Sequence, residues 1–175
     1  ETVHVGASLD AMGRRGEYLR KGQDWSQVVL DRERMFSDCP RVRFRLAPTL
    51  SAMNALHLPD FHEDWSRKGY IPVSGMDINV LLEPSEYRVQ MLPARLKEEM
   101  EERYLEYIES GLRPRGVRAW PMISRFRAAL DFMRAQDLPD ALEAFRRRTR
   151  RLDRWRGEKF AEVFPELAEL DPGGE

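Results

Sequence analysis

The sequence predicts an α/β fold, a small parallel sheet followed by a helical C-terminal part, and three observations carry that expectation. Residues 3–10, 42–49 and 76–83 alternate apolar and polar side chains with the period of a β-strand. The segments are separated by about 31 and 26 residues, too long for hairpins and enough for the crossovers that parallel strands require. Beyond Leu92 and Pro93 the alternation gives way to apolar residues at helical spacing.

In the first strand Val3, Val5, Ala7 and Leu9 share one face, and His4, Gly6, Ser8 and Asp10 the other. Asp24 is placed to cap a crossover helix carrying Trp25, Val28, Val29, Arg32, Met35 and Phe36, which stops near Asp38, Cys39 and Pro40. Val42, Phe44 and Leu46 then oppose Arg43, Arg45, Ala47 and Thr49. A second crossover helix is expected over 56–68, ended by Gly69. In the third strand Ile78, Val80 and Leu82 oppose Asp77, Asn79, Leu81 and Glu83. Helices follow at about 93–110, 116–135, 139–155 and 157–164, punctuated by Gly111, Pro114 and Pro139. The organisation expected is a sheet part over 1–92, a helical region over 93–170 and a frayed tail over 171–175.

Buried parallel sheets covered on both faces read as continuous apolar runs, and these strands do not. Their polar second face predicts a barrel-like curl with helices outside and a wet, ligand-holding hollow inside. An open sheet with one solvated face is the alternative. Arg43, Arg45, Asp77, Asn79 and Glu83 fall on that polar face, where they can pair with one another or touch a ligand.

Composition narrows the function classes. Lys and Arg total 29 against 30 Asp and Glu, a net charge of -1, which excludes the strongly basic balance of a dedicated nucleic-acid binder. No apolar run approaches the roughly 20 residues of a membrane span. The single cysteine, Cys39, can form no intramolecular disulfide and cannot alone hold zinc or an iron–sulfur cluster, so a reducing cytoplasmic setting is expected. The sequence begins at Glu1 and enters the first strand without a leader, as expected of a piece of a longer chain.

Chemistry concentrates in VGASLDAMGRRGEYLR, residues 5–20, because ligands bind at the C-terminal ends of parallel strands. Gly6 leaves space, and Ser8 with Asp10 puts a hydroxyl and a carboxylate on one side, suited to ribose hydroxyls. Arg20 can meet a carboxylate through two bonds. A helix cap at Asp10 and a surface arginine at Arg20 are the plainer reading. His57 and His62 are five apart, off the shared face that a metal pair on a helix needs, and no third ligand stands near them. The run AFRRRTRRLDRWR is the one basic cluster; helical spacing spreads its arginines, and Glu143, Asp153 and Glu158 offer partners. Phe126, Leu130, Met133, Leu138, Leu142, Phe145 and Trp120 read as core, and Phe160, Phe164 and Leu167 fold the last helix back.

The stretch VGASLDAMGRRGEYLRKGQDW followed by PTLSAMNALHLPDFHEDW, with DINVLLEPSEYRVQMLP and LDRWRGEKFAEVFPEL in order behind it, resembles the radical S-adenosylmethionine (radical SAM) enzymes, in particular their twitch-domain group. The resemblance implies a partial (β/α) barrel of the TIM type, of which the chain supplies the later strands and the helices beyond. It implies that Ser8 and Asp10 lie near the cofactor ribose, with Arg20 and Asn54 also near the cofactor. In the complete protein a [4Fe-4S] cluster would cleave S-adenosylmethionine to a 5′-deoxyadenosyl radical that abstracts hydrogen from a substrate. The CxxxCxxC loop that holds the cluster and the glycine-rich GGEP strand are absent here, so the chain alone is expected to be inactive and to pair with a missing N-terminal half-barrel. A non-catalytic α/β module that contacts RNA or a protein through the arginine-rich helix is the competing expectation, and a barrel enzyme without a cluster is a third.

Overall fold

Parallel strands form where the alternation is strongest. The computed structural model describes residues 2–171. Strand β1 (Val3–Ala7) pairs in parallel with β2 (Val42–Leu46), Val3 opposite Val42 and Ala7 opposite Leu46. Strand β3 (Thr49–Leu50) pairs in parallel with β4 (Asn79–Val80). A parallel bridge between Leu46 and Met76 joins the two pairs. The segment 42–50 therefore lies between the other two.

The third strand is much shorter than the expected 76–83. Pro48 has no N–H to give to a ladder, and the middle strand breaks there into β2 and β3. Its partner pairs only at Met76 and again at Asn79–Val80, while Leu82 and Glu83 are exposed. The fold is α/β, and no closed barrel is present among the described residues.

One sheet face is apolar and covered. Phe44, Leu46, Leu50 and Met76 are buried. Helix α2 (Trp25–Asp38) covers them with Arg32, whose guanidinium sits 4.6 Å from the Phe44 ring. Helix α3 (Leu58–Arg67) adds Trp65, 6.1 Å from Phe44. As expected, Asp24 caps α2 by accepting from Gln27 N at 3.2 Å, and Gly69 ends the α3 segment with φ +74°. On the other face His4, Gly6, Ser8 and Arg43 are exposed.

A short helix that the alternation does not reveal, α1 (Gly13–Leu19), follows β1. Gly16 permits it, since a Cβ there would strike the Ala11 carbonyl oxygen. Beyond the sheet, α4 (Ala94–Glu106) runs into a π-helical turn over Tyr107–Leu112 and a 3-10 stretch over Arg113–Ala119. Then come α5 (Trp120–Arg134), α6 (Ala141–Arg156) and α7 (Phe160–Val163), with a last 3-10 turn over Pro165–Leu170.

One hydrophobic cluster runs from Tyr18 to Leu170. The C-terminal aromatics fold back as expected, with Phe164 against Tyr18 at 5.4 Å and Phe160 against Phe145 at 5.4 Å. Trp120 departs from expectation, being 67% exposed. The buried face of α5 is Met122, Phe126, Ala129, Leu130 and Met133, and a residue two positions before Met122 points away from it. Asp171, expected in the frayed tail, is buried and paired with Arg150 at 2.7 Å; residues 172–175 lie outside the described residues. No helix is long and apolar enough to cross a membrane.

Candidate functional site

Parallel strands bring their C-terminal ends to one edge, and there the four residues singled out from the sequence meet in one hydrogen-bonded network. Asp10, just past β1, accepts from Thr49 N through Oδ1 at 2.8 Å and from Arg20 Nε through Oδ2 at 2.8 Å. Arg20 leaves the end of α1 and donates through Nη2 to Ser8 Oγ at 2.8 Å. Arg20 thus bridges the hydroxyl and the carboxylate.

Asn54 works from below. It is fully buried, and its Nδ2 donates to the carbonyls of Asp10 at 2.8 Å and Thr49 at 3.0 Å while Oδ1 accepts from Ser51 N at 2.8 Å. All of its bonding capacity within that turn goes to the chain, so it is a positioning residue that fixes the first two strand ends relative to each other. The side chains of Asp10 and Arg20 are 15% and 40% exposed, and Ser8 is exposed. A Cβ built on Gly6 meets nothing within 4 Å, so the sheet face beside Ser8 is open.

Farther along the polar face, Arg45 grips Asp77 through Nε and Nη2, both at 2.7 Å, and Arg125 of α5 reaches the same carboxylate at 2.8 Å. The hydrogen bond from Arg45 holds the Asp77 carboxyl below its ordinary range against the opposing effect of burial, and Arg125 adds to it. Arg43, Asn79 and Glu83 are exposed and stand outside this pairing.

A cavity of about 280 Å³ opens at the same strand ends, with Asp10, Thr49 and Ser51 on one side and Tyr87, Arg148 and Arg156 on another. A larger one, about 720 Å³, lies at the opposite ends of the strands near His4, Val42 and Tyr70. Size favours the second, but in parallel α/β sheets ligands sit at the C-terminal ends, and only the smaller cavity reaches the Asp10 network. Cys39 is exposed beside the larger cavity.

His57 and His62 are both held by neighbouring groups. His62 is fully buried, with Nε2 2.8 Å from the Val73 carbonyl and Nδ1 2.6 Å from the Tyr107 hydroxyl, and burial lowers its pKa to about 4. His57 Nε2 lies 2.5 Å from Glu166, which Arg15 also holds at 3.0 Å. No group of three His, Cys, Asp or Glu side chains converges on a metal position among the described residues.

Sequence reasoning did not single out Tyr87, Arg148 and Arg156 for this site. The arginine run was visible, but which members turn toward the strands depends on where α6 docks. Arg146 pairs with Glu143 at 2.6 Å, Arg148 with Glu86 at 2.8 Å and Arg150 with Asp171. Asp153, expected as an intrahelical partner, instead accepts from the Tyr18 hydroxyl and Phe160 N, both at 2.7 Å. No family model, curated protein or solved structure matches the chain.

Proposed function

We propose that this chain is the cofactor-holding part of a radical SAM-type partial barrel, binding the nucleoside portion of S-adenosylmethionine at the C-terminal ends of its parallel strands. The observation that carries the reading is the convergence of Ser8, Asp10 and Arg20 at one strand edge beside the open face at Gly6. These residues fit the ribose. Each Asp10 oxygen accepts one bond from the protein and retains a lone pair for a hydroxyl donor, and the exposed Ser8 hydroxyl can give or accept another. Arg20 orients the carboxylate, and the Asn54 amide keeps the strand ends in register beneath it. In a complete protein whose reduced cluster donates the cleaving electron, the cofactor would supply hydrogen-abstraction chemistry, and the residues of this chain would supply binding and orientation.

A [4Fe-4S] cluster does not fit the described residues, which offer one exposed cysteine and no converging ligand set. Cluster ligands and the front strands of the barrel are assigned to residues outside this sequence, and the chain alone binds the cofactor without cleaving it.

Calorimetric titration of the chain with S-adenosylmethionine tests this. Ser8→Ala removes one hydrogen bond and is expected to weaken binding about threefold to tenfold. Gly6→Leu fills open space that the nucleoside would use and should weaken it by more than about tenfold while leaving the melt unchanged. Unaltered affinity in a folded Gly6→Leu protein, or no binding at millimolar cofactor, refutes the proposal.

One observation favours a second reading, a module that binds RNA or a protein through α6. Arg147, Arg151 and Arg154 are exposed at helical spacing, have no acidic partner among the described residues, and adjoin Trp155, which is 82% exposed. Binding of single-stranded RNA that collapses in Arg151→Glu and weakens steeply with salt would support it.

A further inference from the structure

The cavity at the strand ends has a second wall whose chemistry the cofactor reading leaves unused. Arg148 and Arg156 of α6 line it about 12 Å apart along the helix axis, with Leu152 midway. Each guanidinium is anchored at one nitrogen. Arg148 donates through Nη1 to Glu86 at 2.8 Å and lies 5.3 Å from the Tyr87 ring centroid, and Arg156 donates through Nη1 to the Tyr18 carbonyl at 3.1 Å. Both are therefore held in place with other N–H donors to spare.

The Tyr87 hydroxyl and Arg156 Nε are closed to solvent, the phenol with the Thr149 hydroxyl as its neighbour. Among the acids nearby, Asp10 is paired with Arg20, Glu86 with Arg148 and Glu158 with Lys21, and Glu158 Oε2 lies 3.9 Å from Arg156 Nη1. The remaining N–H groups of Arg148 and Arg156 are what this wall offers a ligand. Leu19, Met53, Leu81 and Leu152 make the rest of the lining apolar.

We propose that this cavity takes a small organic anion, a carboxylate or phosphate monoester on an apolar body, held through the free N–H donors of Arg148 and Arg156. The anion is the substrate of the site described above, and in that assignment the inference rests on the cofactor reading. The volume of about 280 Å³ lies just below the usual range for drug-sized ligands, so the molecule is small. Asp10 borders both regions and would put the anion next to the cofactor ribose.

Calorimetric titration of the full chain with hexanoate, hexyl phosphate and neutral 1-hexanol decides the matter. At least one anion should bind, and hexanol should not. Arg148→Met and Arg156→Met should each weaken binding by about tenfold or more. Arg147→Met, on the outward stripe, should change nothing. Should Arg156→Met fail to fold, the side-chain Nε resonance of Arg156 in the unsubstituted protein must shift on adding the bound anion. Binding of hexanoate alone or hexyl phosphate alone identifies the head group. Failure of both anions to bind, equal binding of hexanol, or an equal loss in Arg147→Met overturns the proposal. A parallel titration with S-adenosylmethionine separates the two readings. Cofactor binding without anion binding sinks only this inference, whereas anion binding that depends on Arg156 without cofactor binding leaves the pocket standing and removes the cofactor reading.

Discussion

Acid should destabilise this protein well before its carboxylates protonate, and His62 is the reason. The imidazole is fully buried beside Tyr107, with Nε2 donating to the Val73 carbonyl at 2.8 Å and Nδ1 2.6 Å from the Tyr107 hydroxyl, whose oxygen also lies 3.1 Å from Glu63 Oε2. Burial is the main cause of the fall in pKa from 6.5 to about 4, and the nearby positive charges of Arg115 and Arg125 act the same way, against smaller opposing effects of the Val73 carbonyl and Glu63. Because the folded value lies below the unfolded one, the stability is complete above pH 6.5 and drains away as pH falls toward 4. At pH 5 the unfolded chain has bound the proton and the folded chain has not, a loss of about 2 kcal/mol relative to pH 7.5. With a urea m-value of about 2 kcal/mol per molar, the midpoint drops by about 1 M. The assay is urea unfolding at both pH values for the protein and for His62→Gln, so that every other titrating group cancels in the difference. A difference in midpoint that does not change between pH 7.5 and pH 5 would refute the reasoning.

Two further outcomes are expected from the structure. Glu166 accepts from His57 and Arg15, whose bonds pull its carboxyl from 4.5 to about 2 although burial opposes them. That pairing contributes about 2 kcal/mol after allowance for solvent screening; it is present above pH 4.5 and lost as pH falls toward 2. Glu166→Gln should show this loss at neutral pH in chemical unfolding, and the gap from the unsubstituted protein should close in acid. Asn54→Ala strips partners from the Asp10 and Thr49 carbonyls and from Ser51 N in a buried turn, at a cost of about 3 kcal/mol. Calorimetric melting checks the size, and faster hydrogen exchange at the Ser51 amide checks the place.

Much of the site was legible because its residues lie on or just after strands that write their faces into the sequence. Ser8 and Asp10 follow from the alternation, Arg20 from the polar segment behind them, and the resemblance directed attention to Asn54. The part each plays was not legible. Asn54, expected near the cofactor, is a buried tie between strand ends, because Thr49 and Ser51 on its own turn and Asp10 beyond the first strand offer three backbone partners within 3.0 Å. The third strand was overestimated because alternation reports which residues can pair, whereas Pro48 on the neighbouring strand decides where the ladder can form.

What the sequence determined by itself is local: strand faces, the Asp24 cap, the Gly69 stop and the helical periods beyond residue 93. These depend on side-chain period and backbone preference over a few residues. Only the tertiary structure decided that Arg148 and Arg156 face the strand ends while Arg147 and Arg151 face solvent, that His62 is buried neutral, and that Trp120 is outside. The direction in which a helix turns its residues depends on what it docks against. In α6 that is the packing of Phe145 against Tyr87 and Phe160, contacts between residues 15 or more positions apart that no local pattern encodes.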